Sequence, residues 1–335
     1  MESKELIAQQ TFCGTLEGHN GEITSIVSSH STVDGKDNNI LISGSRDKKL
    51  LIWKLNPESE RNDEDSFGEP YLALTGHNHF VSDLSLSNDN NYVLSSSWDK
   101  TLRLWNLKTG KCQSRFSGCP KEVLSCAFSS DARQVLSAGF DNKVSLWNNK
   151  GEFKTGSQQA NHTDAVSKVR YSPSVKNSYF ATAGWDGKLK IWTGFCKIKV
   201  SFVAHDGPIY GLAINTNGMY VATGGKDASV KLWKISEIQE SEPAKEYKCD
   251  SQVNDVAFNP EYQWVAAATN NSLKVWDVSS NETVPIVNIP VDVNSNNQNK
   301  KFKFTTLSWN ATGKYLYAGC SDSKIRVYHI GITEK

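Results

Sequence analysis

Seven times along this chain a strand-like apolar segment ends in tryptophan or tyrosine six residues after a turn residue. The segments are SRDKKLLIW (Asp47, Trp53), SWDKTLRLW (Asp99, Trp105), GFDNKVSLW (Asp141, Trp147), GWDGKLKIW (Asp186, Trp192), GKDASVKLW (Asp227, Trp233), TNNSLKVW (Asn270, Trp276) and SDSKIRVY (Asp322, Tyr328). Successive aromatic positions stand 52, 42, 45, 41, 43 and 52 residues apart. A period of about 40–45 residues closing on such a strand is that of a propeller blade, which buries its apolar faces only by stacking on neighbours. The spacing therefore predicts an all-β chain, folded as one seven-bladed β-propeller that works through its surfaces rather than through a catalytic cleft.

The units share an internal grammar. Histidine opens several of them, in Gly18-His19, Gly76-His77, Asn161-His162 and Ala204-His205, and a hydroxyl stands four residues before the turn aspartate at Ser43, Ser95, Ser137, Thr182 and Thr223. These positions resemble the His, Ser/Thr, Asp and Trp tetrad of WD-repeat proteins, a hydrogen-bonded relay that ties three strands of a blade together. The chemistry is reasonable, because a buried aspartate in a tight turn needs donors and the histidine and hydroxyl supply them. The complete sets are His19, Ser43, Asp47 and Trp53; His77, Ser95, Asp99 and Trp105; His162, Thr182, Asp186 and Trp192; and His205, Thr223, Asp227 and Trp233. Unit 3 has Cys119 near the histidine position, and units 6 and 7 have Ala266 and Ala318 in place of the hydroxyl. Those three blades are expected to open most easily.

His, Ser and Asp also compose a hydrolase triad, but a single active site does not recur blade after blade. The histidines form no HExxH pattern, and no glycine-rich phosphate loop is present. Seven cysteines, at 13, 112, 119, 126, 196, 249 and 320, lack CxxC spacing. No catalytic residue, metal ligand set or cofactor is therefore assigned. The amino-terminal MESKELIAQQ is not a signal peptide and no apolar run reaches membrane-spanning length, so a cytoplasmic protein without membrane insertion is expected.

One domain over 10–331 accounts for nearly all of the 335 residues, leaving short tails at 1–9 and 332–335. The blade cores end near Trp53, Trp105, Trp147, Trp192, Trp233, Trp276 and Tyr328. The last repeat stops after its third strand, so the stretch Thr11 to Leu16 is expected to supply its outer strand and close the ring.

A net charge of +1 conceals an asymmetry. The turns between second and third strands share one face of a propeller with the loops that carry the histidines. Those turns read Arg46-Asp47-Lys48-Lys49, Asp99-Lys100, Asn142-Lys143, Gly187-Lys188, Lys226-Asp227 and Ser323-Lys324, and Lys300, Lys301 and Lys303 precede the last repeat. The opposite face should carry Glu58, Glu60, Asp63, Glu64, Asp65 and Glu69, with Glu237, Glu240, Glu242 and Glu246. A one-sided basic surface is what a phosphate backbone would select.

Several segments resemble one family in particular. SRDKKLLIWKL, GHNHFVSDLSLSNDNNYVLSSSWDKTLRLWNLKTGK, ATAGWDGKLKIW and TGGKDASVKLW look like the receptor for activated C kinase, the Gβ-like WD-repeat protein of the eukaryotic small ribosomal subunit. The resemblance runs over essentially the whole chain. It implies a cytoplasmic, ribosome-associated scaffold that contacts small-subunit rRNA and neighbouring ribosomal proteins and offers other surfaces to signalling kinases and translation factors, with no role in binding DNA. The family's Arg-x-Lys rRNA contact falls on Arg46 and Lys48, with Lys49, Lys100 and Arg103 as accessories. Arginine can fork onto phosphate oxygens and lysine adds a point charge.

There are departures from the family pattern. Phe140 and Asn142 replace a second Arg-Asp-Lys, Glu22 stands where an aromatic is usual, the kinase-contact region reads DSQVNDVAF, and a loop at 291–303 falls where the family has a protruding knob. Two alternatives are free cytosolic scaffolds. A G-protein β subunit would need an amino-terminal helix of some 40 residues, and a ubiquitin-ligase substrate receptor would need a recruitment motif. Neither feature is visible.

Overall fold

The computed structural model describes residues 6–29, 40–56, 67–157, 161–174, 178–194, 196–291 and 302–334. Seven four-stranded antiparallel sheets follow one another around a central channel. Blade 1 is built from Ile23–Ser28, Leu41–Ser45, Lys49–Leu55 and Gly68–Thr75, and blades 2 to 6 repeat this order. Blade 7 takes three strands from Phe304–Trp309, Tyr315–Cys320 and Lys324–Glu334 and its outer strand from Leu6–Glu17. That closing pair runs in register from Leu6↔Glu334 to Glu17↔Lys324, with a bulge between Phe12 and Gly14. The closing strand is longer than the expected 11–16, because the third strand of blade 7 itself continues to Glu334 and offers it partners.

Burial explains the strand order. Second strands are buried along almost their whole length, as in Leu41–Ser45, whereas outer strands such as Cys112–Phe116 are mostly exposed. The core consists of apolar layers between adjacent blades. One layer packs Ile26, Leu41 and Trp53 of blade 1 against Leu16, Tyr317 and Val327 of blade 7. Close stacking requires small residues where one blade's second strand meets the next blade's first: a Cβ on Gly44 would lie 2.7 Å from Val81 Cγ1.

Every first strand carries a β-bulge one or two residues in. A bulge re-aims a side chain, and five of the seven bulged residues use this to grip the next blade. Thr24 Oγ1 donates to the Val81 carbonyl (2.7 Å), Ser82 Oγ to Val123 (2.7 Å) and Ser167 Oγ to Ile209 (2.5 Å). Asn254 Nδ2 donates to Phe304 (2.7 Å) and Thr305 Oγ1 to Ile23 (2.5 Å), the latter joining blade 7 to blade 1. Leu124 and Tyr210, which occupy the bulge in blades 3 and 5, carry no equivalent bond among those described.

Deeper in the channel, Asp83 is a hub for four blades. Its carboxylate accepts from Ser25 Oγ (3.1 Å), Ser125 Oγ (2.5 Å), Lys168 Nζ (3.3 Å) and both terminal nitrogens of Arg170 (2.7 and 3.1 Å). Burial would push this carboxyl up, but Arg170 and Lys168 outweigh it and hold the group well below the usual carboxylate range.

Candidate nucleic-acid interface

In blades 1, 2, 4 and 5 the four side chains singled out in the sequence form continuous relays. In blade 1, Trp53 Nε1 donates to Ser43 Oγ (2.8 Å), the hydroxyl bonds His19 Nε2 (2.8 Å), and His19 Nδ1 reaches Asp47 Oδ2 at 2.7 Å. The same contacts measure 2.9, 2.7 and 2.9 Å for Trp105, Ser95, His77 and Asp99. For Trp192, Thr182, His162 and Asp186 they are all 2.9 Å. For Trp233, Thr223, His205 and Asp227 they are 2.9, 2.7 and 2.9 Å. In each set the backbone N–H after the histidine also donates to the carboxylate. Burial alone would raise these carboxyls, but the histidine bonds prevail: Asp186 and Asp227 are pulled down to about 2, and Asp47 and Asp99 also lie low. The four hydroxyls are fully buried, so none can meet a substrate as a nucleophile.

The remaining blades improvise. In blade 3, Trp147 still donates to Ser137 Oγ (2.8 Å), but Asp141 has no histidine, and burial pushes its carboxyl above the usual value. In blade 6 the hairpin between Trp264–Thr269 and Ser272–Asp277 is one residue shorter than the others. Asn270 therefore does not occupy the aspartate position assigned by counting back from Trp276. Its backbone N–H reaches the Gln252 carbonyl (3.3 Å), as Arg46 reaches Glu22 and Trp98 reaches Phe80 (both 3.0 Å), which makes Asn270 the counterpart of Arg46. The carboxylate comes instead from the loop between blades, where Asp250 accepts from Ser272 Oγ at 3.0 Å and faces Lys274 at 3.6 Å. In blade 7, Arg326 grips Asp322 with both terminal nitrogens (3.1 and 2.7 Å) and lies 3.5 Å over the Phe302 ring. Blades 6 and 7 thus carry substitute networks, and blade 3 is left as the one with an unrelieved turn carboxyl.

The bond from the residue before the turn to the loop carbonyl recurs in all seven blades and defines a ring around the channel mouth: Arg46, Trp98, Phe140, Trp185, Lys226, Asn270 and Ser321. Arg46 is about half exposed (53%). It pairs with Glu22 (Nε–Oε2 3.0 Å), and its guanidinium lies 5.4 Å over Phe80. Lys48 takes the left-handed turn position (φ 72°) beside exposed Lys49, and Lys100 takes the same position in blade 2 (φ 67°), 4.0 Å from Glu122. The hairpin thus brings Arg46, Lys48 and Lys49 together, with Lys100 on the neighbouring turn. Arg103 stands apart, within a strand, half-buried, with its guanidinium 5.8 Å over Trp105.

Lys300, Lys301, Glu58, Glu60, Asp63, Glu64 and Asp65 lie outside the described residues. Of the acidic residues expected on the opposite face, Glu237 is ion-paired with Lys234 and Glu69 and Glu242 are exposed, whereas Glu246, paired with Lys248, lies within the outer strand of blade 5 opposite Lys231. Asp83 and the pairing of Glu22 with Arg46 were not anticipated from sequence. Asp83 reads as an ordinary strand residue, and its partners lie 42 to 87 residues away.

Comparisons with known proteins complete the site. The model of the WD domain, G-beta repeat, matches residues 10–54, 68–106, 110–148, 154–193, 196–234, 241–277 and 296–329. The chain is 39% identical over 323 residues to the cross-pathway control WD-repeat protein 2 of Flammulina velutipes, covering 96% of this chain and 98% of that protein. It is 37% identical over 325 residues to the small ribosomal subunit protein RACK1 of Caenorhabditis elegans (97% and 98%). It is 39% identical over 318 residues to the protein of the same name from Neurospora crassa (95% and 96%).

Proposed function

Because the chain belongs to the WD-repeat family, and within it to the RACK1 proteins, we propose that it is a cytoplasmic scaffold of the small ribosomal subunit, without catalytic activity. In this reading Arg46 and Lys48 clamp rRNA phosphates, Lys49 and Lys100 add charge to the same face, and the remaining surfaces receive signalling kinases and translation factors. The observation that carries it is the exposed first-blade hairpin, which presents three cations within four residues, its own carboxylate Asp47 held by His19 and Glu22 paired with Arg46. An exposed ion pair of this kind contributes roughly 0–1 kcal/mol, so a phosphate can displace Glu22 from Arg46 at little cost. Arg103 is assigned a packing role against Trp105 in preference to an RNA contact.

The test is sedimentation of cell lysate on a gradient. Reversing both charges (Arg46→Asp with Lys48→Glu) should move the protein from small-subunit fractions to the top, with its melting temperature nearly unchanged, since exposed turn residues contribute little to the fold. Glu242→Lys on the other face should leave sedimentation intact. A double reversal that still sediments at physiological salt would reject the clamp. Wild-type protein that never sediments with subunits would favour a free cytosolic scaffold.

A further inference from the structure

The mouth of the channel on the hairpin face is a cavity of about 410 Å³ with two unlike walls. Blades 2, 4 and 5 line it with Phe80, Trp98, Trp185 and Tyr210. The rings form a connected arc: Phe80 and Trp98 centroids are 5.8 Å apart, and Phe140 stands perpendicular to both Trp98 (5.6 Å) and Trp185 (5.3 Å). His79 stacks under Trp98 at 16°, yet Trp98 keeps 37% of its surface exposed. A supported, solvent-facing indole at the mouth of a channel does not serve the core.

The facing wall, from blade 6, is a chain of amides. Gln252 Nε2 donates to Asn254 Oδ1 (3.0 Å), and Asn254 Nδ2 donates to Asn270 Oδ1 (3.0 Å). The chain ends in an amide donor on Asn270 and an amide acceptor on Gln252, neither with a protein partner among the described bonds. The charges at the mouth partly cancel, Arg46 against Glu22 and Lys168 against Asp83, which leaves exposed Lys303 in excess. Around this centre, six of the seven hairpins carry a lysine, in the turn or at its exit at Lys48, Lys100, Lys143, Lys188 and Lys324 and at its entry at Lys226.

We propose that the channel mouth binds unpaired RNA: a nucleobase stacks on the Trp98–Phe140–Trp185 arc and presents its edge to the Gln252 and Asn270 amides, while Lys303 and the hairpin lysines hold the flanking phosphates. Aromatic platforms inside a basic rim are how single strands are bound, because every base offers a π-face and every linkage a charge. A splayed base is read by hydrogen bonds along its edge, and a free donor and a free acceptor on one wall match that need. An acidic peptide would satisfy the rim but leave the arc and the amides unused. The inference rests on the RNA-facing reading of this surface, but its central residues are not those of the clamp.

The experiment uses the full chain and fluorescein-labelled octauridylate, with anisotropy and tryptophan emission as readouts. Wild type should bind the octamer with quenching of tryptophan emission, and should bind a duplex RNA of equal length about tenfold or more weaker. Trp98→Ala with Trp185→Ala should weaken octamer binding by about tenfold or more while sedimentation with small subunits persists. Gln252→Ala with Asn270→Ala, which touches no core ring, should weaken binding with the melting temperature lowered only slightly, and guards against a misfolded aromatic variant. Arg46→Asp with Lys48→Glu should abolish sedimentation. By removing rim charge it should also weaken octamer binding, by less than the aromatic variant, while a saturating octamer still quenches tryptophan emission, so failure of the clamp and failure of the mouth are told apart. Equal affinity for duplex and single strand, an aromatic variant that binds like wild type, or displacement of the octamer by a glutamate-rich peptide at equal concentration would each overturn the proposal.

Discussion

At the scale of single residues the molecule is organised by where carboxylates find donors. Asp99 accepts from His77, from the Asn78 backbone and from Thr101. Asp99→Ala strands the buried donors of His77 and Thr101, each at about 1–3 kcal/mol, and should cost about 2–4 kcal/mol in denaturant melts. Asn270→Ala removes a half-exposed amide at the mouth and should cost under about 1 kcal/mol; equal losses would reject the distinction between tetrad and rim. Asp141 tests the relay from the opposite side. Its folded-state pKa is raised, so the folded protein holds that proton more tightly than the unfolded chain, and stability present at low pH is lost as pH rises through the carboxylate range. Cys119→His offers the missing donor and should raise stability at pH 7 by about 1 kcal/mol, with the gain lost in acid as the carboxyl protonates. A destabilised variant would mean that the loop of blade 3 cannot orient an imidazole.

At the scale of elements, the ring depends on its seam and its hub. Removing the strand Leu6–Glu17 leaves Lys324–Glu334 as an unpaired edge, a template for association with other chains. The truncated protein should aggregate in size-exclusion chromatography, whereas a soluble, cooperatively melting monomer would contradict closure by this strand. Asp83→Asn should be more severe than any tetrad change, at roughly 3–5 kcal/mol, because Lys168 and Arg170 lose the carboxylate they are paired with in the channel wall. A loss below about 1 kcal/mol in the same melts would mean that water already satisfies both cations.

For the whole molecule, the decisive quantity is the field of one face. If that face neutralises RNA phosphates, association with small subunits must release counterions, and its affinity should fall steeply between about 50 and 200 mM salt. Co-sedimentation across a salt series measures this, and association indifferent to salt would point to protein contacts alone. The blades divide the labour around the ring. Blade 1 carries the exposed arginine, blades 2 to 5 the aromatic side of the mouth, and blades 6 and 7 the amides and Lys303.

The local repeat was legible because blade formation is local. An aspartate six residues before a tryptophan, a hydroxyl four before it and a histidine opening the unit all act within one sheet, so the chain spells them out in order. The seven blades and their closure by the amino-terminal strand followed from that spelling. What the sequence could not show depends on residues from different blades meeting. Asp83 gathers partners from blades 1, 3 and 4 only because the ring closes around it. The bulged Thr24, Ser82, Ser167, Asn254 and Thr305 read as plain strand residues until a neighbour's carbonyl is placed opposite. The missing turn residue in blade 6 displaced Asn270 by one position, a shift that only the backbone bond to Gln252 reveals. The aromatic arc facing an amide wall also belongs to the assembled ring. Its members come from five blades, and only the circular stacking of sheets makes them neighbours.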